Sequence, residues 1–254
     1  MEDKKPIIKV ENFTAAFGDN VVIDNISFDV YEGERFIVLG GSGCGKSVLM
    51  KHIIGLYKPA SGRILIDGDD IHLADEEQQL EILKKIGVAY QSGALFGSMT
   101  VLENVRLPLE EFTDLSPQFA EEVARMKINL VGLTGSEHKL PSEISGGMKK
   151  RVAVARAMIL DPKILFFDEP GAGLDPITSV ELDDLILNLS ENLNITFVVV
   201  THELMSIYKI ANRVIMLDKR VKKIVAEGDP HDLKDNSDNP WVKQFFNRES
   251  ETSN

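Results

Sequence analysis

The sequence predicts an α/β fold, a core of buried strands and helices carrying a helical insertion. Three observations predict it. The runs FIVLG (36–40), KILFF (163–167, apolar after its lysine) and ITFVVV (195–200) have the length of strands buried in a parallel sheet. Stretches of helical period separate them. From about 97 to 160 strand-like runs give way to helical patterns broken only by turns. A chain of 254 residues suits one large domain, or a core with a sizeable insertion.

Taken in order, IIKVENF (7–13) and VVIDNISFDV (21–30) read as strands, with TAAFGDN (14–20) as the turn between them. FIVLG follows, then GGSGCGKS and a helix VLMKHIIGLY (48–57) broken by Pro59, Ser61 and Gly62. RILIDG is a strand and turn, 75–85 a helix and 86–90 a strand. The insertion has turns at 113–117, 132–136 and 140–146. After KILFF come a helix at about 178–192, the strand ITFVVV and a helix at about 204–211. RVIML and KKIVAEG form two strands around a charged turn. The tail from Asp229 is polar, with one helical candidate, PWVKQFFN (240–247).

Composition narrows the function. Hydrophobic content of 43% and charged content of 27% fit a globular protein with a real core. A net charge of −12 argues against nucleic acid as a partner and against docking on anionic lipid by charge alone. A membrane role would need another protein to hold the chain there. No apolar run approaches the roughly 20 residues of a membrane span. MEDKKPIIKV has no apolar signal core, so the expected compartment is the cytosol. One cysteine, Cys44, allows no internal disulfide.

Residues 40-GGSGCGKS-47 fit G-x-x-x-x-G-K-[ST] between a strand and a helix. Gly40, Gly41, Ser42, Gly43, Cys44 and Gly45 are small, so successive N–H groups can close around a phosphate chain. The helix that starts there points its positive end at the same anion. Lys46 can reach the β- and γ-phosphates, and Ser47 offers a hydroxyl to Mg²⁺. A glycine-rich turn with a chance lysine would not need this flanking strand and helix. Cys44 has no neighbouring base or second thiol in the sequence, so it reads as a small loop filler rather than a nucleophile.

In 164-ILFFDEP-170, Asp168 stands at the C-terminal edge of a buried strand, where ligands of open α/β sheets bind. It can hold Mg²⁺, and Glu169 can polarise an attacking water. Alone, two adjacent acids could be a solvated turn; beside a phosphate loop the functional reading prevails. The loop 90-YQSGALF-96 is odder: a lone amide, Gln91, then small residues, then an apolar pair, Leu95 and Phe96.

A phosphate loop alone fits a kinase, GTPase, helicase or transporter motor. The deciding stretch is 144-ISGGMKKRVAVARAM-158, in which Ser145, Gly146 and Gly147 open a helix and make a second anion-binding N-terminus. Two such ends in one chain point to two chains sharing two nucleotides. Lys149, Lys150 and Arg151 read as the solvated start of that helix. With these motifs the chain resembles the nucleotide-binding subunits of ABC transporters along nearly its whole length. The resemblance implies a single ABC ATPase domain over 1–254. Its P-loop NTPase core spans 1–96 and 161–228, with an N-terminal antiparallel β-subdomain. The inserted helical subdomain covers about 97–160, and a C-terminal extension 229–254.

The same resemblance implies ATP and Mg²⁺ as ligands, and a role for each matching position. Phe17 would stack on adenine, although alone it would read as a core residue. Gln91 would join the metal and the water to the transmembrane partner, whose coupling helix would dock near Gln91–Phe96. Ser145, Gly146 and Gly147 would grip the γ-phosphate of the sister subunit's ATP. Asp168 would hold the metal, Glu169 would be the general base, and Asp175 in GAGLDP would lie on the loop crossing the dimer. His202 in VVVTHE would contact the γ-phosphate; alone it would read as a surface or capping histidine. Two positions depart from the family pattern, Met148 in the signature and the run GAG before Leu174. Neither removes a group hydrolysis needs.

QSGALF, SGGM, DEPGAGLDPIT and the tail GDPHDLKDNSDNPWVKQFF look like the ATPases of Mce-type lipid transporters, including the maintenance-of-lipid-asymmetry systems that move phospholipids. This implies a homodimer held peripherally at the cytoplasmic face of the inner membrane. Its partners would be a permease, an Mce-domain lipid-binding protein and a possible small regulatory subunit. Trp241, Phe245 and Phe246 could bury against the sister subunit or pack on their own domain. Two alternatives keep the ATP chemistry: another cargo, such as amino acids or released lipoproteins, or a soluble ATPase of iron–sulfur assembly.

Overall fold

The computed structural model describes residues 5–248. In chain order the elements are β1 (Pro6–Phe17), β2 (Asn20–Tyr31), β3 (Arg35–Gly40), α1 (Lys46–Ile53), β4 (Ser61–Ile66), β5 (Asp69–Asp70), α2 (Glu76–Lys84) and β6 (Ile86–Ala89). Then come α3 (Val101–Phe112), α4 (Pro117–Leu130), α5 (Gly146–Ala157), β7 (Ile164–Asp168) and α6 (Pro176–Leu193). The chain finishes with β8 (Thr196–Val200), α7 (Leu204–Ile210), β9 (Arg213–Asp218), β10 (Lys223–Gly228), α8 (Pro230–Asn236) and α9 (Pro240–Asn247). They form two compact units, one from β1 to Ile82 together with β8 to α9, the other from Leu83–Ile195.

The first unit holds two β layers. In one, β2, β1, β4 and β5 are antiparallel neighbours. In the other, β3 lies parallel between β8 and β9, and β10 pairs antiparallel with β9. Phe36, Ile37, Phe197, Val199 and Val214 are fully buried there, so β3 and β8 lack polar alternation, as buried parallel strands do. In the second unit β6 runs parallel to β7. The helices α3, α4 and α5 pack on one another and α5 also packs on β6. The approach is closest at Gly87, where a Cβ would stand 2.0 Å from the Ala157 carbonyl oxygen.

Several boundaries differ from the sequence reading. β1 continues through Thr14–Phe17, leaving only Gly18 and Asp19 as the turn. Register shifts after Val10, Phe13 and Ala15 break the period of two, which hid the second half of the strand. α1 stops at Ile53 rather than Tyr57, because Gly55 adopts φ 79° and its N–H bonds back to the His52 carbonyl. α8 was not expected in the polar tail. Asp229 caps it by accepting from His231 N (2.8 Å) and Asp232 N (3.3 Å), with Pro230 at its first position. α9 appears as expected. Val242 and Phe246 are buried within the first unit, Trp241 and Phe245 are half-buried, and Tyr208 Oη donates to the Phe246 carbonyl at 3.2 Å. Phe246 thus packs on its own domain, while Trp241 and Phe245 keep part of their surface exposed; residues 249–254 lie outside the described residues.

Candidate functional site

In the first unit the loop 40–47 joins β3 to α1. Its glycines are imposed by geometry at two positions. Gly40 has φ 147°, and a Cβ there would stand 2.4 Å from the Leu217 carbonyl oxygen and 2.7 Å from Cys44 Sγ. Gly45 caps α1 at φ 102°, with Val22 and Ile23 3.0–3.2 Å from where a Cβ would be. Ser42 and Gly43 are exposed, whereas Gly41 is half-buried 3.8 Å from the Trp241 ring, measured from a built Cβ. Lys46 Nζ donates to the carbonyls of Gly40 (2.9 Å) and Gly41 (3.4 Å), which holds the ammonium over the loop. Ser47 follows in the first turn of α1, a turn without an acidic residue. Backbone N–H groups, a helix N-terminus and an ammonium meet here, as polyphosphate binding requires. Cys44 is buried, and burial raises its thiol pKa against the pull of Lys46. A protonated, enclosed thiol fits the loop-filler reading.

Phe17 ends β1 with half its surface exposed. Its ring meets the Tyr57 ring edge-on at 5.6 Å between centroids, and His52 lies 6.4 Å away. Tyr57 is also exposed. The two rings offer an apolar platform for a base; the sequence reading singled out Phe17 and missed Tyr57. His202 is exposed, two residues past the end of β8.

In the second unit β7 delivers Asp168 half-buried at its C-terminal end. Burial and the charge of Asp168 both raise the pKa of Tyr90. Glu169 sits at φ 48°, in the left-handed region that costs a non-glycine residue roughly 1–3 kcal/mol and is concentrated at functional sites. Ser145 caps α5, its hydroxyl accepting from Met148 N at 3.2 Å. A Cβ on Gly146 would meet nothing within 4 Å, whereas one on Gly147 would stand 2.4 Å from Thr178 Cγ2. Asp175 caps α6 through Ile177 N and Thr178 N, both at 3.1 Å, and accepts from the Thr178 hydroxyl at 2.5 Å. The Thr178 hydroxyl and then its N–H hold the Asp175 carboxyl below the usual range.

The expectation that Lys150 and Arg151 are solvated is wrong. Lys150 Nζ donates to the main-chain carbonyl of Gln91 at 2.6 Å and lies 3.4 Å from that of Glu169. Burial lowers its pKa, opposed by the charges of Asp168 and Glu169. Arg151 bridges Glu181 (2.6 Å) and the Val131 carbonyl (3.3 Å). The loop after Gln91 is held elsewhere too. Arg156 donates to the carbonyls of Gly93 and Ala94, both at 2.8 Å. Asn104, fully buried on α3, accepts from Phe96 N (2.8 Å) and donates to the carbonyls of Phe96 (3.1 Å), Met99 (3.0 Å) and Thr100 (3.0 Å). Gln91 and Phe96 are exposed, and Leu95 is half-buried. Asn104 therefore pins the peptide that displays Phe96, a role no local pattern signals.

Replacing Asn104 by alanine takes the acceptor from the Phe96 N–H, while the Phe96 carbonyl keeps the Met99 N–H at 3.1 Å. A buried polar group left unsatisfied costs about 1–3 kcal/mol, so Asn104→Ala should lose about that much stability. A urea midpoint shifted at constant slope reports it; an unmoved midpoint means that Phe96 keeps its place unaided.

Residues 23–172 match the family described as ABC transporter. The "Probable ribonucleotide transport ATP-binding protein mkl" of Mycobacterium leprae is 40% identical over 240 residues, 94% of this chain and 68% of that protein. The "Intermembrane phospholipid transport system ATP-binding protein MlaF" of Haemophilus influenzae is 39% identical over 245 residues, 96% of this chain and 92% of that one. Among solved structures, cbiO1 of Clostridium perfringens, part of the ABC transporter complex cbiONQ, superposes with a TM-score of 0.83 at 28% identity, over 90% of both chains. A dimeric ATP-binding cassette in a post-hydrolysis state, bound to ADP and Pi, gives 0.78 at 30% identity, over 87% of this chain and 98% of that one. With a phosphate loop, a capped signature helix and a strand-end acid pair following one another along it, the chain belongs to the ABC transporter family, as an ATP-binding subunit that hydrolyses ATP.

Proposed function

We propose that this hydrolysis powers phospholipid transport across a bacterial envelope, in a system of the Mce and lipid-asymmetry type. The observation carrying this reading is end-to-end likeness: the two-sided match to MlaF covers nearly the full length of both chains. The mycobacterial relative, named for ribonucleotide transport, extends well beyond the matched part.

Each residue has a defined task in the proposed cycle. Phe17 stacks on adenine, aided by Tyr57. The N–H groups of 40–47 and the Lys46 ammonium hold the β- and γ-phosphates of ATP. Ser145, Gly146 and Gly147 present the N-terminus of α5 to the γ-phosphate of ATP on a second copy of the chain, and Asp175 lies at that dimer interface. Glu169 accepts the proton of a water whose oxygen attacks the γ-phosphorus in line, as ADP departs. His202 orients the γ-phosphate and this water.

Mg²⁺ fits the residues assigned to it. Ser47, Gln91 and Asp168 all offer oxygen, the donor a hard cation takes. Among the described residues no three His, Cys, Asp or Glu gather into a metal site. A cation held mainly by substrate phosphates needs none. When bound, Mg²⁺ neutralises charge on the β- and γ-phosphates.

The permease partner docks at 91–96. Phe96, 51% exposed on a pinned peptide, supports this as an anchor for an apolar helix face. Among the described residues no helix is long and apolar enough to cross a membrane. The permease would hold the chain at the cytoplasmic face of the inner membrane, beside an Mce-domain lipid-binding protein and, in some assemblies, a small regulatory subunit.

The test is a pull-down of tagged Glu169→Gln protein with ATP from detergent-solubilised native membranes, read by mass spectrometry. A permease, an Mce-domain protein and copurifying phospholipid are the expected yield. A permease for another cargo, or soluble scaffold proteins alone, would overturn the lipid reading and leave the ATPase intact.

A further inference from the structure

We propose that Lys150 is a positioning residue for ATP hydrolysis: from α5 it ties together the main chains that carry Gln91 and Glu169. The proposal rests on the reading of those two side chains as reacting-centre groups, and on four observations.

First, one ammonium reaches both carbonyls, at 2.6 Å from Gln91 O and 3.4 Å from Glu169 O. The first bond is short and charge-assisted, the stronger class of hydrogen bond. Second, Lys150 is half-buried, so this ammonium has exchanged part of its water shell for fixed carbonyls. Third, the backbone it grips is not relaxed. Glu169 lies at φ 48°, and such a conformation persists only where surrounding contacts enforce it. Fourth, the same helix repeats the device. Ala94 is also left-handed, at φ 46°, and its carbonyl is held by Arg156 from two turns further along α5. The helix that opens with Ser145, Gly146 and Gly147 thus uses two cations to hold three carbonyls of the Gln91 loop and the one that follows Asp168. Lys150 touches both segments. A shift of the signature helix would be transmitted to Gln91 and Glu169 together through this side chain.

A purely structural lysine would be expected to lower stability and nucleotide binding together when removed. A positioning lysine acts on turnover. The experiment measures kcat and KM with Mg-ATP, affinity for a fluorescent ATP analogue, and the thermal midpoint of the full-length chain carrying Lys150→Met, Lys150→Arg or Glu169→Gln. Lys150→Met is expected to lower kcat about 10- to 100-fold, since misplacement near 1 Å can cost that much. Nucleotide affinity should stay within about twofold and the thermal midpoint should hold, because the Lys150 bonds go to the main chains of Gln91 and Glu169, assigned here to the reacting centre. Lys150→Arg, which keeps a charged donor, should recover most of the rate. An unchanged kcat in Lys150→Met overturns the proposal. So does a loss of kcat matched by a loss of nucleotide affinity or of thermal midpoint, and so does a Lys150→Arg variant as slow as Lys150→Met. The Glu169→Gln arm reads the underlying assignment separately: full hydrolysis there removes Glu169 as the base, whatever the Lys150 variants do.

Discussion

Glu169→Gln should lower turnover by about 10²- to 10⁴-fold, the usual contribution of a general base, while ATP binding is retained. The amide is nearly the same size as the carboxylate but cannot accept a proton from water. The backbone that aims it should survive, because β7 up to Asp168 and the Lys150 contact to the Glu169 carbonyl do not depend on the side chain. Single-turnover phosphate release beside equilibrium ATP binding separates the two quantities. A variant that hydrolyses at the parent rate would show that the proton goes elsewhere.

Gly147→Ala should be nearly as damaging, for a steric reason. The added Cβ would stand 2.4 Å from Thr178 Cγ2. Thr178 cannot swing aside cheaply, since its hydroxyl and its N–H both bond to Asp175 in the first turn of α6. Overpacking of this kind costs about 1–3 kcal/mol. The backbone shift that relieves it would displace the N-terminus of α5, so ATPase activity should fall at least about tenfold, in line with the cost of misplaced groups. The clash also names its own suppressor. Thr178→Ser deletes Cγ2, keeps the hydroxyl for Asp175, and leaves the Thr178 Cβ position as the nearest contact at 3.7 Å. The double variant should regain most of the activity in a phosphate-release assay. No recovery would mean that Gly147 is needed for a reason other than room.

Both of these positions were legible in the sequence. The acid pair after ILFF and the small residues of 40–47 were legible, because their chemistry follows from residue type and from the strand or helix beside them. The buried parallel strands were legible for the same reason, as short apolar runs. What stayed hidden is long-range and runs from side chain to main chain. Lys150 meets Gln91 across 59 positions, and Arg156 meets Gly93 across 63. A carbonyl has no letter in the sequence, so neither partner advertises the bond, and a Lys-Lys-Arg run reads as solvated by default. Asn104 is the same case, a polar residue inside an amphipathic helix that serves a loop eight residues back. The second half of β1 was lost to bulges, which erase the alternation that identifies a strand. α8 was missed although Asp229 and Pro230 spell a helix start, because its first turns lack an apolar stripe.

The position of Trp241 has a practical consequence. It is the only tryptophan of the chain. Its indole lies under the Arg220 guanidinium at 5.0 Å, and Arg220 is itself bonded to Asp218 at the end of β9. The same ring borders Gly41 of the phosphate loop. Tryptophan emission from this protein therefore has a single local source, set between a cation and the segment that encloses polyphosphate. A spectroscopist needs no attached dye: the native chain already carries a chromophore at its nucleotide loop, and its colour and brightness report on that neighbourhood rather than on the molecule as a whole.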